Sequence, residues 1–306
     1  MHKSVLLEEA INSLNIKENG IYVDATLGYG GHSGEILKRL KEGKMYAFDQ
    51  DDYAINYCKE KFINNNNIVI IKSNFANLKE ELNKRGIDKI DGILFDLGVS
   101  SVQLDQADRG FSFHNDAILD MRMDTSSSFS AYDVVNSYEL NDLIRIFREY
   151  GEEKYAVSIA KKIVEYRKNK EIKMTLELVD IIKTAIPYKA MRDGHPARRV
   201  FQAIRIEVNN ELEVLKKALE DAIDILDKDG IISVITFHSL EDKIVKKTFK
   251  KYSDINSELK KLPEIPLEYQ PTLKIIENKI TPSSHEIEEN YRARSSKLRV
   301  AQKIKG

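Results

Sequence analysis

Over roughly its first hundred residues the chain alternates short apolar runs with segments whose apolar positions recur at helical spacing. Ile21–Ala25, Lys44–Asp49, Ile68–Lys72 and Ile90–Leu97 have the length and composition of buried strands. Ser33–Leu40, with Ile36, Leu37 and Leu40 on one face, reads as a helix, as do Asp52–Phe62 and Leu78–Lys84. An opening helix is expected over Val5–Leu14, with Ser4 as its N-cap. Strands alternating with helices predict an α/β fold, a parallel sheet joined by right-handed crossovers. Ligands of such sheets sit beyond the carboxyl ends of the strands.

The rhythm stops after Ser101. Gln103–Ser130 is rich in Asp, Ser and aromatic residues without periodicity, which predicts a long functional loop. Glu139–Tyr150, Lys154–Lys168 and Leu176–Ile186 read as three helices with no strand between them, hence a helical insert. Pro187 to Pro196 is a break. A single long helix is expected from Arg199 to Asp227, striped by Val208, Leu212, Leu215 and Leu219. Ile231–Phe237 resumes the strand pattern, Leu240–Tyr252 is helical, and Thr272–Ile280 and Leu298–Ile304 read as late strands. The expected division is 1–105 and 199–306 for the sheet domain, with 106–198 as loop plus all-helical insert.

Composition narrows the class. The 306 residues are 42% hydrophobic and 32% charged, ordinary for a globular chain with a real core. No apolar run is long enough to span a bilayer, and the acidic start does not resemble a signal peptide. The single cysteine, Cys58, excludes an intrachain disulfide framework and a cysteine-cluster zinc site, and a reducing, cytoplasmic location is expected. The six histidines show no paired ligand spacing, so no catalytic metal is expected. Net charge is −1, which does not announce a nucleic-acid binder, but arginine is scarce and clustered. Of 14 arginines, nine fall at Arg109 with Arg122, between Arg192 and Arg205, and between Arg292 and Arg299.

Candidate chemistry concentrates at strand ends. Asp24 is followed by Gly28, Gly30 and Gly31, a turn that lets a ligand approach the backbone or lets strand and helix pack tightly. Ser33 stands where a dinucleotide fingerprint has its third glycine, and no P-loop lysine is present. An acid with a glycine turn and no pyrophosphate cradle suits a ligand carrying an ammonium group, such as the methionine end of S-adenosylmethionine. Asp49, at the end of the second strand, is placed to accept ribose hydroxyls, whereas Asp51 or Asp52 suits a helix N-cap. Phe75, after the third strand, either flanks an adenine ring or packs in the core. Asp96 ends the fourth strand, where a carboxylate needs a partner, such as a ligand amine or the amino group of a base.

The strings Gly28–Ser33, Asp96–Gln103, Arg109–Phe113, Leu119–Asp124, Phe201–Arg205, Phe237–Asp242 and Arg292–Ser296 occur in an order that resembles the MraW family of bacterial 16S ribosomal RNA cytosine-N4 methyltransferases. The resemblance runs from His2 to near the C-terminus. It implies a class I Rossmann-like sheet, mostly parallel with a late antiparallel strand, and an inserted helical substrate-recognition domain. It also implies S-adenosylmethionine as cofactor, contacted by Gly30, Gly31, His32, Asp49, Phe75, Asp96 and Gln103. The implied reaction methylates one cytosine amine in the decoding region of the small ribosomal subunit, by a monomer or a homodimer. Many DNA amino-methyltransferases carry Asp/Asn-Pro-Pro-aromatic after the fourth strand. Asp96-Leu97-Gly98-Val99 stands here instead, so their proton-accepting geometry does not transfer.

Direct displacement needs no covalent intermediate. A carbon-5 methyltransferase would need a nucleophilic cysteine, and Cys58 sits in a helix with Ala54 and Phe62 four residues to either side, as a core residue does. The amine acceptors are expected to be Asp96 or the carbonyls of Leu97 and Gly98. The target base must leave its stack. Phe111 and Phe113 would stack on it, or else pin the loop, with Arg109 and Arg122 on phosphates. Arg192, Arg198, Arg199 and Arg205, and then Arg292 and Arg294 in the tail, are further RNA candidates. His238-Ser239 follows the fifth strand, and Ser239 is expected to cap the next helix. A nicotinamide oxidoreductase would share the sheet and Asp49 but lacks its third glycine here. A non-enzymatic RNA-binding factor would need the basic clusters and not the glycine turn together with Asp49.

Overall fold

The computed structural model describes residues 4–100, 103–104, 106–255, 266 and 269–305, with the side chains of 190, 192 and 193 outside that description. The chain forms two compact units, Met1–Gly98 with Leu212–Gly306, and Val99–Glu211. It leaves the first unit at Gly98 and re-enters it at Leu212, where 105 and 199 were expected.

The first unit is built on a seven-stranded sheet of order β3-β2-β1-β4-β5-β7-β6. Its strands are β1 (Ile21–Asp24), β2 (Lys44–Asp49), β3 (Ile68–Lys72), β4 (Ile90–Asp96), β5 (Leu226–Thr236), β6 (Leu273–Ile280) and β7 (Lys297–Lys303). The first five pair in parallel, and β7 pairs antiparallel with both β5 and β6. Alternate residues bury on opposite faces, as a sheet covered on both sides requires. Val23, Phe48, Ile93, Phe95, Ile232 and Val234 face one core; Tyr22, Met45, Ala47, Leu94, Ile231 and Ile235 face the other. Chain order reverses beside β1, which has β2 on one side and β4 on the other. A parallel sheet opens its crevice at such a switch point. Asp24, Asp49 and Asp96 end the three strands that flank it.

Three local expectations are corrected. The opening helix begins at Leu7, not Val5, and Ser4 does not cap it. Leu6 holds the N-cap position in a left-handed conformation (φ 49°), and its N–H donates to Glu286 at 2.6 Å. The long helix expected over 199–227 is two helices, Arg198–Asn209 and Glu211–Ile225, because Asn210 turns left-handed (φ 49°). His238, not Ser239, caps the helix Ser239–Ser253, and the Glu241 side chain closes the capping box by accepting from the His238 N–H.

The second unit carries helices Ala131–Ser137, Leu140–Glu149, Ala156–Arg167, Thr175–Ala185 and Arg198–Asn209. The first of these was not foreseen, although Ser130 and Asp133 form a capping box at its start. Leu143, Phe147, Ile159, Ile163, Leu178, Ile182, Val200 and Ile204, all at helical spacing, fill one shared core.

Candidate active site

The glycine turn is locked from three sides. Asp24 is 1% exposed. Its oxygens accept the Thr26 N–H at 3.0 Å and the Ser33 hydroxyl at 2.6 Å. Ser33, the residue that departs from a dinucleotide fingerprint, therefore pins the turn back onto the strand. Burial pushes the Asp24 carboxyl above its usual range. Gly28 and Gly30 are left-handed (φ 49° and 66°). A Cβ on Gly30 would lie 2.7 Å from the Phe62 ring, and one on Gly31 would lie 1.9 Å from the Ser4 hydroxyl. The backbone therefore has no room for side chains on its packed side.

Asp49 ties the end of β2 to this turn. Its two oxygens accept the N–H groups of Gly28 and Asp51, each at 2.9 Å. Burial pushes its carboxyl up to about 6, with Asp51 and Asp24 adding repulsion. Asp51 is the helix N-cap, accepting from Tyr53 N–H at 3.0 Å, as its position predicted. Phe75 opens a single turn of 3₁₀-helix and meets Phe95 edge-on, 5.7 Å between centroids. Asn74 caps that turn and also donates to Gln50.

At the end of β4, Asp96 meets His32. His32 is 5% exposed and its Nε2 lies 3.1 Å from the Val5 carbonyl, a contact that requires Nε2 to carry the hydrogen. Nδ1 then faces Asp96 Oδ2 at 3.6 Å. Burial, with the nearby Asp24 and Glu241 adding repulsion, raises the Asp96 carboxyl well above its usual range. Asp96 Oδ1 is buried with no hydrogen-bond partner among the described residues. The Asp96 N–H donates to Thr26 Oγ1 at 2.7 Å, binding β4 to the turn after β1. Leu97 is 6% exposed and its N–H is held by the Ile235 carbonyl; Gly98 follows with φ 91°. Cys58 is buried, its Sγ donating to the Gly28 carbonyl at 3.3 Å, and burial pushes its thiol up to about 12. A thiol so placed is no nucleophile at neutral pH.

The structure thus brings Asp24, Gly28, Gly30, Gly31, His32, Asp49 and Asp96 together around one switch point, with Phe75 after the adjoining strand. Gln103 belongs to the second unit, where it is 4% exposed and its side-chain carbonyl accepts the Ser100 N–H. Two contributors were missed in the sequence. Thr26 couples two strand ends through one hydroxyl. Glu241, 3% exposed, accepts the N–H groups of Phe237 and His238 and raises Asp96. Thr26 lies only two residues after Asp24, so its position was visible, but its partner is 70 residues away.

The RNA candidates sort into two kinds. Phe111 is 6% exposed in the helical core. Arg109 donates to the carbonyls of Arg122 and Met123, and Arg122 grips Asp120 with both arms of its fork. Arg205 does the same with Glu211, and Arg199 donates to the Glu152 carbonyl. Arg198, Arg292 and Arg294 are exposed, with Arg294 against the Tyr291 ring. The side chain of Arg192 lies outside the described residues.

The chain is similar to proteins of known structure and to one sequence family. The solved rRNA methylase from Streptococcus thermophilus shares 12% identity over 100% of this chain and 99% of that one, with a TM-score of 0.46. SMU.1697c from Streptococcus mutans, solved in complex with SAH, shares 13% over 99% and 100%, also at 0.46. The sequence profile of the MraW methylase family matches residues 1–304, essentially the whole chain, and so spans both units and every residue of the site. The chain belongs to the MraW methylase family.

Proposed function

We propose that this methyltransferase transfers a methyl group from S-adenosylmethionine to the exocyclic N4 of a cytosine in small-subunit ribosomal RNA. The observation that carries this reading is the buried, unpartnered Oδ1 of Asp96 at the switch point. A buried acceptor without a donor is costly, so a ligand N–H is its natural complement. The glycine turn and Asp49 suit a cofactor beside it: glycines that add no side chain to the turn, and a strand-end carboxylate for ribose hydroxyls.

The cofactor supplies an electrophilic methyl on a sulfonium. The rest falls to the chain. Cytosine N4 is a poor nucleophile because its lone pair is shared with the ring. Alignment is therefore the main resource, and near-attack positioning is worth about 7–11 kcal/mol in favourable cases. Asp96 and the carbonyls of Leu97 and Gly98 would accept the amine hydrogens and orient the lone pair. One N–C bond forms as one C–S bond breaks, and the amine loses a proton. Asp96 in its ionised form, a stronger base than a free aspartate because its carboxyl is raised, would take it. No nucleophilic cysteine is needed, in accord with the buried Cys58 thiol. Exposed Arg198, Arg292 and Arg294 serve as phosphate contacts, while Arg109, Arg122 and Arg205 shape the loop and helices that present the substrate.

Transfer of radiolabelled methyl to small-subunit rRNA tests the reading. Label is expected in RNA with the wild-type chain and a loss of at least about 100-fold with Asp96→Asn, if an acceptor at a developing charge acts as such groups usually do. Absence of transfer from the wild-type chain to naked RNA and to assembled subunits alike would overturn it.

A further inference from the structure

The second unit carries a ring cluster that the methyl-transfer site does not use. Phe113 stacks on His195 with centroids 4.4 Å apart and planes 23° apart. His114 tilts onto Phe113 at 4.5 Å and meets His195 edge-on at 5.2 Å. Beneath them Phe201, 3% exposed in the helical core, meets Phe113 edge-on at 5.8 Å. The rings thus run from the buried Phe201, through half-buried Phe113 and His195, to His114 in solvent.

His195, at the centre of the stack, is held by its backbone neighbours. His195 Nδ1 accepts the Ala197 N–H at 3.3 Å, and its carbonyl accepts the Arg198 N–H at 3.1 Å. Lys183 lies close enough to act on His195, and is itself paired with Asp180 at 3.0 Å. Burial first, then His114 and Lys183, hold the His195 imidazole below its ordinary range. Arg198 is exposed on the next helix. Packing explains Phe113, which covers Phe201. It does not explain His114, whose exposed ring buries little and sits on a prepared aromatic base. An exposed ring tilted onto an aromatic base, with Arg198 exposed on the next helix, matches one chemistry above others, the π-face of a base joined to phosphates.

We propose that His114, backed by Phe113 and His195, is a stacking platform for an unpaired base of single-stranded RNA. The proposal rests on the reading of the substrate as RNA and extends it to a second contact point. The platform is sequence-tolerant, because every base has a π-face.

The test is the affinity of the full chain for a fluorescein-labelled single-stranded RNA oligonucleotide, beside an abasic strand of the same length. His114→Ala should weaken binding to the RNA about tenfold, the loss of one stacked base, and leave abasic-strand affinity within about twofold. His114→Tyr should stay within about threefold of wild type on RNA, since a ring is restored. Unchanged S-adenosylmethionine affinity, by calorimetry, verifies that both variants are folded. His114→Ala binding RNA as wild type does, or His114→Tyr binding as weakly as His114→Ala, overturns the platform. A wild-type chain that binds neither strand overturns the RNA reading itself, and the platform with it.

Discussion

At the scale of single residues, the site is a set of carboxylates held in a state that a cationic ligand would relieve. Burial pushes the Asp49 carboxyl up to about 6, outweighing its two backbone hydrogen bonds. Its ionised form is the one with free lone pairs for ribose hydroxyls. Cofactor affinity should therefore hold above pH 7 and fall as the pH drops through 6, by up to about tenfold per unit. Calorimetry from pH 7.5 to 5 checks this, and an affinity that rises on acidification would refute it. Asp96 carries a second, separable prediction. Its raised carboxyl favours the protonated form, so ionisation at neutral pH opposes folding: its stabilising share is present at low pH and lost as pH rises through the folded value. Asp96→Asn should raise the melting temperature of the cofactor-free protein at pH 7.5 while removing activity. The gain should shrink in acid, and an unchanged or lowered melting temperature at pH 7.5 would refute it. Asp24, Asp49 and Asp96 were legible in the sequence, since acids at the ends of parallel strands have few ordinary uses. Thr26 and Glu241 were not, because their roles depend on partners that only the folded chain supplies.

At the scale of elements, the alternation of strands and helices was readable because the inner strands β1, β2, β4 and β5 are covered on both faces and so read as nearly unbroken apolar runs. Helix ends were less readable. The apolar stripe through Val208, Leu212 and Leu215 continues across Asn210, so periodicity joined what one left-handed residue separates. Likewise Ser4 looked like a cap but instead packs against Gly31. That packing is testable. Gly31→Ala should destabilise by about 1–3 kcal/mol through overpacking, because its Cβ would meet the Ser4 hydroxyl at 1.9 Å. Adding Ser4→Ala should recover part of the loss, since the remaining Cβ contact relaxes to 3.2 Å. Thermal unfolding of the single and double variants measures the coupling; strictly additive losses would show that the hydroxyl is not what Gly31 avoids.

At the scale of the whole molecule, the helical insert was legible as a break in rhythm, and it holds six of the nine clustered arginines. Their roles were only partly legible. Arg109, Arg122 and Arg205 are internal braces, because a fork that matches a phosphate equally matches an aspartate, a glutamate or a pair of carbonyls. The exposed pair Arg292 and Arg294 retains the capacity to meet phosphates. Replacing both by alanine should reduce the slope of log affinity against log salt by about 0.7 for each phosphate that the pair neutralises. An unchanged slope would remove them from the RNA interface. The central claim concerns where the methyl group goes, and its most direct measurement is regiochemical. Small-subunit rRNA methylated by this protein with isotope-labelled cofactor is digested to nucleosides and resolved against standards. The account predicts label in N4-methylcytidine; label in 5-methylcytidine, or on any other base, would contradict it.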